Sequence, residues 1–300
     1  MRLEQINSIS PTAISQDQRE SYYELGFLIL PDSIGEEWLN PLRGAVDDLI
    51  DLTRSMTEST RRVDLEPDHT SENPRVRRVA YVDEYDPIFW QLCSESVIAD
   101  IATDLLGPNL RFRELMINFK WADGGAAVQW HQDIAFYPHT HAGTLQFLLM
   151  MDGATQDQGP LQLISGSHKG EIFAHYDNQG NWTGAISAED LERADMDNIV
   201  TATGPPGLLS VHHSRTIHGS SINKSSAGRP AFVLTYSAAD AVPYTAPAYP
   251  SVHYRELIRG VDPGVAHHED MIVPMPPDWS DSYTSIFEHQ EHTELSYAES

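Results

Sequence analysis

The spacing of apolar residues predicts a mainly helical first third of the chain. Ser15 is suited to cap the first helix, and Gly26 to end it before a strand at 27–30. The predicted helices span 15–23, 34–56 and 88–106. Between the second and third helices, the polar stretch 57–78 has no periodicity and predicts a surface loop or a mobile flap over the site.

From Leu110 onward the pattern changes to short runs rich in β-branched and aromatic residues, separated by Gly, Pro, Asn and Asp. The predicted strands are 111–121, 126–131, 144–152, 161–164, 207–213 and 230–237. Many short strands without alternating helices favour a barrel or a jelly roll. Within the stretch 170–200, Ser187 predicts the cap of one small helix.

These elements predict one domain over 1–300, mainly β with helical support, and a jelly-roll core. The expected parts are a helical support (1–109), the core (110–238) with an insertion (170–203), and a C-terminal wrap (239–300). No internal repeat or low-complexity stretch is present.

Composition narrows the possible partners. The chain has 19 Lys and Arg against 44 Asp and Glu, so its net charge is −25. Such a charge repels phosphate backbones and anionic lipids, which argues against nucleic-acid and membrane partners. The single cysteine, Cys93, and an N-terminus without a basic and apolar signal pattern predict a cytoplasmic protein.

The sequence Trp130-His131-Gln132-Asp133 carries the sharpest chemical signal. On a strand, residues two apart point to the same face, so His131 and Asp133 project together and Gln132 turns away. An imidazole and a carboxylate are two of the three ligands in the facial triad of non-haem iron. Alone, however, such a motif occurs by chance in a chain with 14 histidines.

The third ligand must come from a remote strand, and the segment 204–235 offers candidates. His218 is followed by Ser220 and, 11 residues on, by Arg229, whose planar guanidinium suits a carboxylate. His212 and His213 are rivals, although neighbouring strand residues face opposite ways, so at most one of them points inward.

Together these stretches resemble the phytanoyl-CoA dioxygenase family, the group that includes ectoine hydroxylase. The matching segments are YYELGFLIL at 22–30, WHQD at 130–133, GPLQLISGSHKG at 159–170 and HSRTIHGSSIN at 213–223, followed by Arg229. The resemblance implies a double-stranded β-helix (cupin-like) fold and the use of Fe(II), 2-oxoglutarate and O₂.

The same resemblance implies roles for single residues. His131, Asp133 and His218 would bind the metal, and Arg229 with Ser220 would bind the 2-oxoglutarate carboxylate. Asn118 matches a co-substrate contact of ectoine hydroxylase-like members. Lys120 lies two residues later, on the same strand face, and is a further candidate. The expected contacts of 2-oxoglutarate are thus Arg229, Ser220, Asn118 and Lys120.

Two departures from the family pattern are visible. The usual Pro-Gly-Ser-His is Ser165-Gly-Ser-His168, and the usual Gly-Asp is Gly207-Leu208. Asp133 is present, whereas related halogenases carry a small residue at this position. Halogenation is therefore not expected.

Residues next to the ligands are candidates for the substrate pocket. Trp130, Phe136, Tyr137 and His213 could wall it, or could equally be ordinary core residues. His139 and His141 lie in a predicted loop and are expected to be solvated.

The sequence therefore predicts a dioxygenase that hydroxylates an unactivated carbon of a small molecule and releases succinate and CO₂. The alternatives are a non-catalytic cupin-like metal-binding sensor and a metal-dependent hydrolase. Neither charge nor aromatic content identifies the substrate, and the same residues could also serve desaturation, cyclisation or epoxidation.

Overall fold

Two antiparallel sheets lie face to face in the computed structural model, which describes residues 3–122, 125–247, 250–279 and 285–290. The strands are β1 (Phe27–Leu30), β2 (Val63–Leu65), β3 (Val76–Ala80), β4 (Leu110–Lys120), β5 (Val128–His131), β6 (Thr144–Met150), β7 (Leu161–Ile164), β8 (Ile199–Thr201), β9 (Leu208–His213), β10 (His218–Ser220), β11 (Arg229–Ala238) and β12 (Leu257–Arg259). The large sheet has the order β1-β9-β6-β11-β4-β3-β2, with β12 also paired to β4. The small sheet has the order β5-β10-β7-β8.

The helices are α1 (Leu3–Asn7), α2 (Gln16–Leu25), α3 (Glu36–Leu52), α4 (Pro87–Glu95), α5 (Val97–Leu106), α6 (Ala188–Leu191) and α7 (Ile286–Gln290). Helices α2 to α5 pack against the outer face of the large sheet, whereas α6 and α7 contact the small sheet. Leu42 of α3 and Leu105 of α5 belong to the same buried cluster as Ile117 of β4 and Phe232 of β11. Within the described ranges, no helix has the length and apolar character needed to cross a membrane.

The prediction of one helix over 88–106 is wrong in one respect, because the chain breaks at Ser96. Ser96 adopts an extended conformation (ψ 167°), and its hydroxyl accepts a hydrogen bond from the backbone N–H of Ile98. It therefore caps the start of α5 and ends α4. The apolar periodicity continues across the break, which is why the pattern alone suggests a single helix.

The prediction of a loop over 57–78 is also wrong, because this stretch contains β2 and the first half of β3. The strand β3 extends the large sheet by pairing with β4, with Arg78 opposite Asn118. All five residues of β3 are buried, including Arg77 and Arg78. Two buried arginines make a strand look like a polar loop. That the stretch opens as a flap stays a prediction.

A bulge in β4 decides which side chains face the inside of the jelly roll. Phe112 is paired with Tyr236 and Glu114 with Thr235 of β11, so Arg113 is an extra residue without a partner opposite. The alternation shifts by one residue at that point. Leu110 and Phe112 before the bulge, and Leu115, Ile117 and Phe119 after it, therefore all pack towards the helices.

Gly207 provides a test of the turn that leads into β9. Its φ is +81°, and a Cβ there would lie 2.2 Å from the carbonyl oxygen of Ile34. We expect Gly207→Ala to destabilise the protein by more than about 1 kcal/mol, because a left-handed conformation disfavours a side chain and the contact adds strain.

Gly44 is the matched control. It is exposed within α3, and no other atom lies within 4 Å of the place that a Cβ would occupy, so Gly44→Ala should stabilise by about 0.5–1 kcal/mol. Urea unfolding of both variants measures the difference. Equal shifts would contradict the arrangement around Gly207.

Candidate metal centre and co-substrate cavity

His131 and His218 are direct neighbours on paired strands. His131 ends β5, His218 begins β10, and the two residues face each other in the strand register. Asp133 follows in a short 3₁₀ turn, 133–135. One ligand atom from each of the three residues lies within 4.8 Å of the other two. The structure thus brings together the three side chains predicted as metal ligands.

Both imidazoles are oriented by backbone carbonyls. The Nδ1–H of His131 donates to the carbonyl of Gln129 (2.8 Å), and that of His218 donates to the carbonyl of Thr216 (2.9 Å). The two Nε2 atoms, with their lone pairs, consequently face the site. Each lies 3.7–3.8 Å from Oδ1 of Asp133. Hydrogen bonds of this kind fix the tautomer that binds a metal.

Asp133 is held from the other side by His212. The Nε2–H of His212 donates to Oδ2 of Asp133 at 3.1 Å, and the His212 ring is fully buried. His212 of β9 is thus neither a ligand nor an outward residue, but the partner of a ligand. Burial acts against ionisation of Asp133, but His218, His212 and His131 together hold the pKa of its carboxyl below the usual range.

The site fits a divalent transition metal. Burial lowers the pKa of His131 and, further, that of His218, so both imidazoles are neutral and can donate their lone pairs. Two neutral imidazoles and one carboxylate on one side of a site, with space opposite, form the donor set of non-haem Fe(II). The donor set of these residues therefore fits Fe(II), the metal expected from the sequence.

A cavity of about 1360 Å³, including its open mouth, lies between the sheets and contains this triad. At one end, Arg229 of β11 and Lys120 of β4 are opposite each other in the register. Arg229 is buried, and its Nε donates to the carbonyl of Gln158 (3.2 Å). No carboxylate of the described ranges forms an ion pair with Arg229 or Lys120.

Burial changes the pKa of both cations. It lowers the pKa of Arg229 to about 10. Burial, followed by the charge of Arg229, lowers the pKa of Lys120 well below its usual range. The Nζ of Lys120 contacts the carbonyl of Ser221. Two buried cations side by side repel each other, and an anionic ligand between them would relieve that repulsion.

Asn118 and Ser220 also line this cavity. Asn118 lies opposite Ala231 of β11, and its buried Oδ1 accepts no hydrogen bond from any group in the described residues. Ser220 is buried on β10, two residues after His218. All four residues predicted to bind 2-oxoglutarate therefore lie on the wall of one cavity, together with the triad.

Of the four pocket candidates, Phe136 and Tyr137 line the cavity, whereas Trp130 and His213 do not. Trp130 precedes His131 on β5, so it points to the opposite face and packs with Ile164 and Phe173. His213 faces away from the cavity for the same reason, next to His212, and its ring packs against Tyr22 and His168. The expectation for Trp130 and His213 is therefore wrong.

The expectation of solvated loop histidines is wrong as well. His139 and His141 are both buried. His141 belongs to a second His-Asp-His cluster, with Asp240 and His267. The backbone N–H of Gly143 donates to its Nδ1, so the proton is on Nε2, which donates to Asp240 at 3.3 Å. This cluster is a hydrogen-bonded contact that holds the C-terminal segment.

Several cavity residues carry no signal that sequence reasoning used. Arg78 is the last residue of the stretch predicted as a loop, and Tyr81 follows three residues later. Trp279 and Phe287 belong to the C-terminal segment. Glu114 could have been found, because it shares the strand face of Asn118 and Lys120 at a spacing of two. Arg113 could not have been found in this way, because it faces the cavity only as a result of the bulge.

The comparisons with known proteins agree with this site. The sequence model of the phytanoyl-CoA dioxygenase family (PhyH) matches residues 22–231, more than two thirds of the chain. The chain belongs to this family. The family recognised from the sequence is thereby confirmed.

Two curated relatives are similar in sequence. A probable alpha-ketoglutarate-dependent hypophosphite dioxygenase of Stutzerimonas stutzeri is 38% identical over 174 residues, which cover 57% of this chain and 58% of that relative. The L-proline trans-4-hydroxylase of Streptomyces griseoviridis is 27% identical over 248 residues, with coverage of 76% and 88%. The chain thus spans less than two thirds of the first of these relatives.

A solved structure supports the fold. EctD from S. alaskensis with bound Fe has a TM-score of 0.65 at 21% identity, covering 82% of this chain and 88% of that one. The predicted jelly-roll class with helical support is confirmed.

The contact between His212 and Asp133 leads to a prediction about iron. We expect His212→Ala to lower the affinity for Fe(II) by about 10- to 100-fold, the usual effect of removing a group that orients a ligand. His212→Gln, which keeps an N–H donor, should recover part of the loss. Iron retained after dialysis, measured by atomic absorption, gives the comparison.

His213→Ala is the control, since its ring lies on the opposite face of β9, against Tyr22 and His168. It should keep the wild-type iron affinity, although it removes packing. If His212→Ala and His213→Ala retained iron equally, the hydrogen bond to Asp133 would have no role in metal binding.

Proposed function

We propose that this protein is an Fe(II)- and 2-oxoglutarate-dependent dioxygenase that hydroxylates an unactivated carbon of a small molecule, releasing succinate and CO₂. The observation that carries the proposal is the presence, in one cavity, of a His-Asp-His triad and two buried cations, Lys120 and Arg229. A metal alone would not require the cations, and an anion site alone would not require the triad.

His131, Asp133 and His218 hold the iron in this proposal. When bound, Fe(II) supplies the activation of O₂ and the oxidation of the substrate. His212 keeps one oxygen of Asp133 occupied, so that the other faces the metal position. The carbonyls of Gln129 and Thr216 keep both imidazoles turned towards that position.

Arg229 binds the distal carboxylate of 2-oxoglutarate, assisted by Lys120. A guanidinium offers two parallel N–H donors to a carboxylate, and burial strengthens the interaction by excluding water. Ser220 supplies a hydroxyl, and the side-chain amide of Asn118, on the same cavity wall, offers a further polar contact.

Aromatic side chains exclude water from the remaining space. Phe136, Trp279 and Phe287 line the cavity. The indole N–H of Trp279 donates to the carbonyl of Phe136 at 3.1 Å. Gln290 of α7 accepts from the backbone N–H of Gln129 and donates to the carbonyl of Gly184. These contacts tie the C-terminal segment to β5, next to the metal ligands.

The two alternative functions fit the cavity less well. A cupin-like sensor has no use for a buried pair of cations beside its metal. A metal-dependent hydrolase needs a general base near the metal. The other carboxylate on the described cavity wall is Glu114, and it forms an ion pair with Arg113.

The substrate is a small molecule in this proposal. The relatives named above suggest a first panel of hypophosphite, L-proline and ectoine, the last because ectoine dioxygenases are also similar to this chain. A cytoplasmic location remains part of the proposal, since the single cysteine, Cys93, is free and buried.

The test of the reaction class is formation of succinate from 2-oxoglutarate by the protein loaded with Fe(II), alone and with each panel member. Asp133→Ala should abolish succinate formation and lose iron on dialysis, because one of three ligands is missing. A metal sensor or a hydrolase would form no succinate. Unchanged iron content and activity in Asp133→Ala would remove the triad from the site.

A second prediction concerns Arg229. Arg229→Ala should raise the KM for 2-oxoglutarate by about 30-fold or more, since truncating a buried charge pair costs about 2–5 kcal/mol and each tenfold is about 1.4 kcal/mol. Arg229→Lys should recover little, because an ammonium cannot bind both oxygens in one plane.

Iron affinity is the control measurement for these variants. It should stay near the wild-type value, since Arg229 contacts no ligand residue of the triad. A wild-type KM in Arg229→Ala would contradict the assignment of this end of the cavity to 2-oxoglutarate.

A further inference from the structure

Gln132 separates the ligands His131 and Asp133 in the chain and has no part in binding the metal or the co-substrate. Its side chain is fully buried, yet it does not line the cavity. A buried side-chain amide costs free energy unless its donors and its acceptor are paired. The hydrogen bonds of Gln132 therefore identify the parts of the chain that it holds together.

The side chain of Gln132 joins two segments that are distant from each other in the sequence. Its Nε2 donates to the carbonyl of Arg215 (2.8 Å) and to that of Glu171 (3.0 Å). Its Oε1 accepts from the backbone N–H of Phe173 (2.9 Å). Only one orientation of the amide satisfies all three partners, since two of them are acceptors and one is a donor.

The contact with Arg215 holds the turn that leads to the third metal ligand. Arg215 lies between β9 and β10, three residues before His218. The carbonyl of the residue after it, Thr216, accepts from the Nδ1–H of His218. Gln132 therefore links the segment that carries the first two ligands to the turn that orients the third.

The segment 171–175 is bound to Gln132 a further time, through the backbone. The backbone N–H of Gln132 donates to Nε2 of His175 (2.9 Å). The Nδ1–H of His175 donates to the carbonyl of Phe173 (3.0 Å), which fixes the tautomer of this fully buried imidazole. Of the four hydrogen bonds of Gln132, three thus go to the segment 171–175.

His175 in turn supports the aromatic wall of the cavity. Its ring packs edge-on against Phe136 and stacks with Trp182, with centroids 5.8 Å apart in both pairs. Phe136 lines the cavity and packs edge-on against the ligand His131 at 5.6 Å. A shift of the segment 171–175 would therefore move this wall relative to the metal position.

We propose that Gln132 is a positioning residue, which holds the three metal ligands and Phe136 in one fixed arrangement. This inference rests on the proposed function, because it takes the triad to bind Fe(II). A catalytic site needs its groups held to within about 0.5 Å, and the packing and hydrogen bonds around them provide this. The two N–H donors of Gln132 carry the role, because both of their acceptors are backbone carbonyls, which a carboxylate at the same position would repel.

Gln132→Glu tests this role with a side chain of almost the same shape. The glutamate keeps an acceptor for the N–H of Phe173, but it places an oxygen against the carbonyls of Arg215 and Glu171. We expect the Kd for Fe(II), measured without O₂ against a competing chelator, to rise at least ten-fold. The visible absorption spectrum of Co(II) bound in place of Fe(II) should also change, because it reports how the ligands are arranged.

The kinetic constants should separate this role from that of the co-substrate end. Lys120 and Arg229 make no hydrogen bond with Gln132. Gln132→Glu saturated with Fe(II) should therefore keep a KM for 2-oxoglutarate within two-fold of the wild type. Its kcat for succinate formation should fall at least ten-fold, because the ligands and Phe136 are no longer held in place.

Hydrogen–deuterium exchange of the metal-free protein tests the contact without any metal. We expect the backbone amides of 171–175 to exchange at least ten-fold faster in Gln132→Glu than in the wild type. Exchange in α3 should stay the same, because that helix packs in a different cluster, against the large sheet.

Gln162→Glu is the matched control, since it introduces the same charge into the same sheet. Gln162 is half-buried on β7, and its side chain forms no hydrogen bond with any residue that the structure describes. It should keep the wild-type values in every measurement. If Gln132→Glu does not fold, His175→Phe replaces it, because it keeps a ring against Phe136 but removes the acceptor of the Gln132 N–H. It should raise the Kd for Fe(II) at least three-fold.

The proposal would be overturned by an unchanged Fe(II) affinity and Co(II) spectrum in folded Gln132→Glu, or in His175→Phe where it takes that place. An equal rise of exchange in α3 and in 171–175 would also overturn it, since the effect would then be a general loss of stability. Wild-type protein that binds no Fe(II) or forms no succinate would instead contradict the proposed function.

Discussion

The buried carboxylate of Asp133 is the group on which the rest of the site depends. A carboxylate away from water costs several kcal/mol unless charges or hydrogen bonds compensate for the lost hydration. Here His212 of β9 donates a hydrogen bond to one oxygen. The other oxygen faces the Nε2 lone pairs of His131 of β5 and His218 of β10, where a bound cation would compensate its charge. Because β5 and β10 belong to the small sheet and β9 to the large one, the carboxylate also links the two sheets.

The same constraint explains why the ligands lie where they do along the chain. The register pairs His131 with His218, so one hydrogen-bonded strand pair delivers two ligands at fixed separation. The third ligand, Asp133, follows immediately in a turn whose next residue, Ile134, donates its backbone N–H to the carbonyl of Ser214. The geometry of the metal site is thus set by backbone pairing rather than by flexible side chains, which is the condition for a rigid active site.

How much of the fold and of the site can be predicted from the sequence depends on how far apart along the chain the interacting residues lie. The triad and Arg229 lie in short motifs. Because side chains alternate along a strand, such motifs predict which residues share a face of the sheet. Alternation alone does not decide between His212 and His213, because only the pairing of β9 with β6 shows which of the two points inward. Alternation also predicts that Trp130 and His131 point to opposite faces of β5. The position of Trp130 could therefore have been predicted from the sequence.

Other residues were hidden for a different reason. Arg78 lies in a strand whose polar residues resemble a loop, although its side chain is buried on the cavity wall. Trp279 and Phe287 reach the cavity only through tertiary contacts of the C-terminal segment, such as that of Gln290 with Gln129. No local pattern encodes such contacts. Functional positions are where a sequence departs from the simplest pattern of its fold.

The bulge at Arg113 shows how such a departure can serve both stability and function. Without an extra residue, one uninterrupted alternation would turn either Phe112 or Leu115 into the cavity, whereas both pack towards the helices. The bulge lets β4 keep a continuous apolar outer face and gives the inner face two consecutive charged residues, Arg113 and Glu114. Because these two neutralise each other, they add polarity to the wall without adding net charge. The positive charge at the end of the cavity opposite the triad therefore comes from Lys120 and Arg229, which have no carboxylate partner among the described residues.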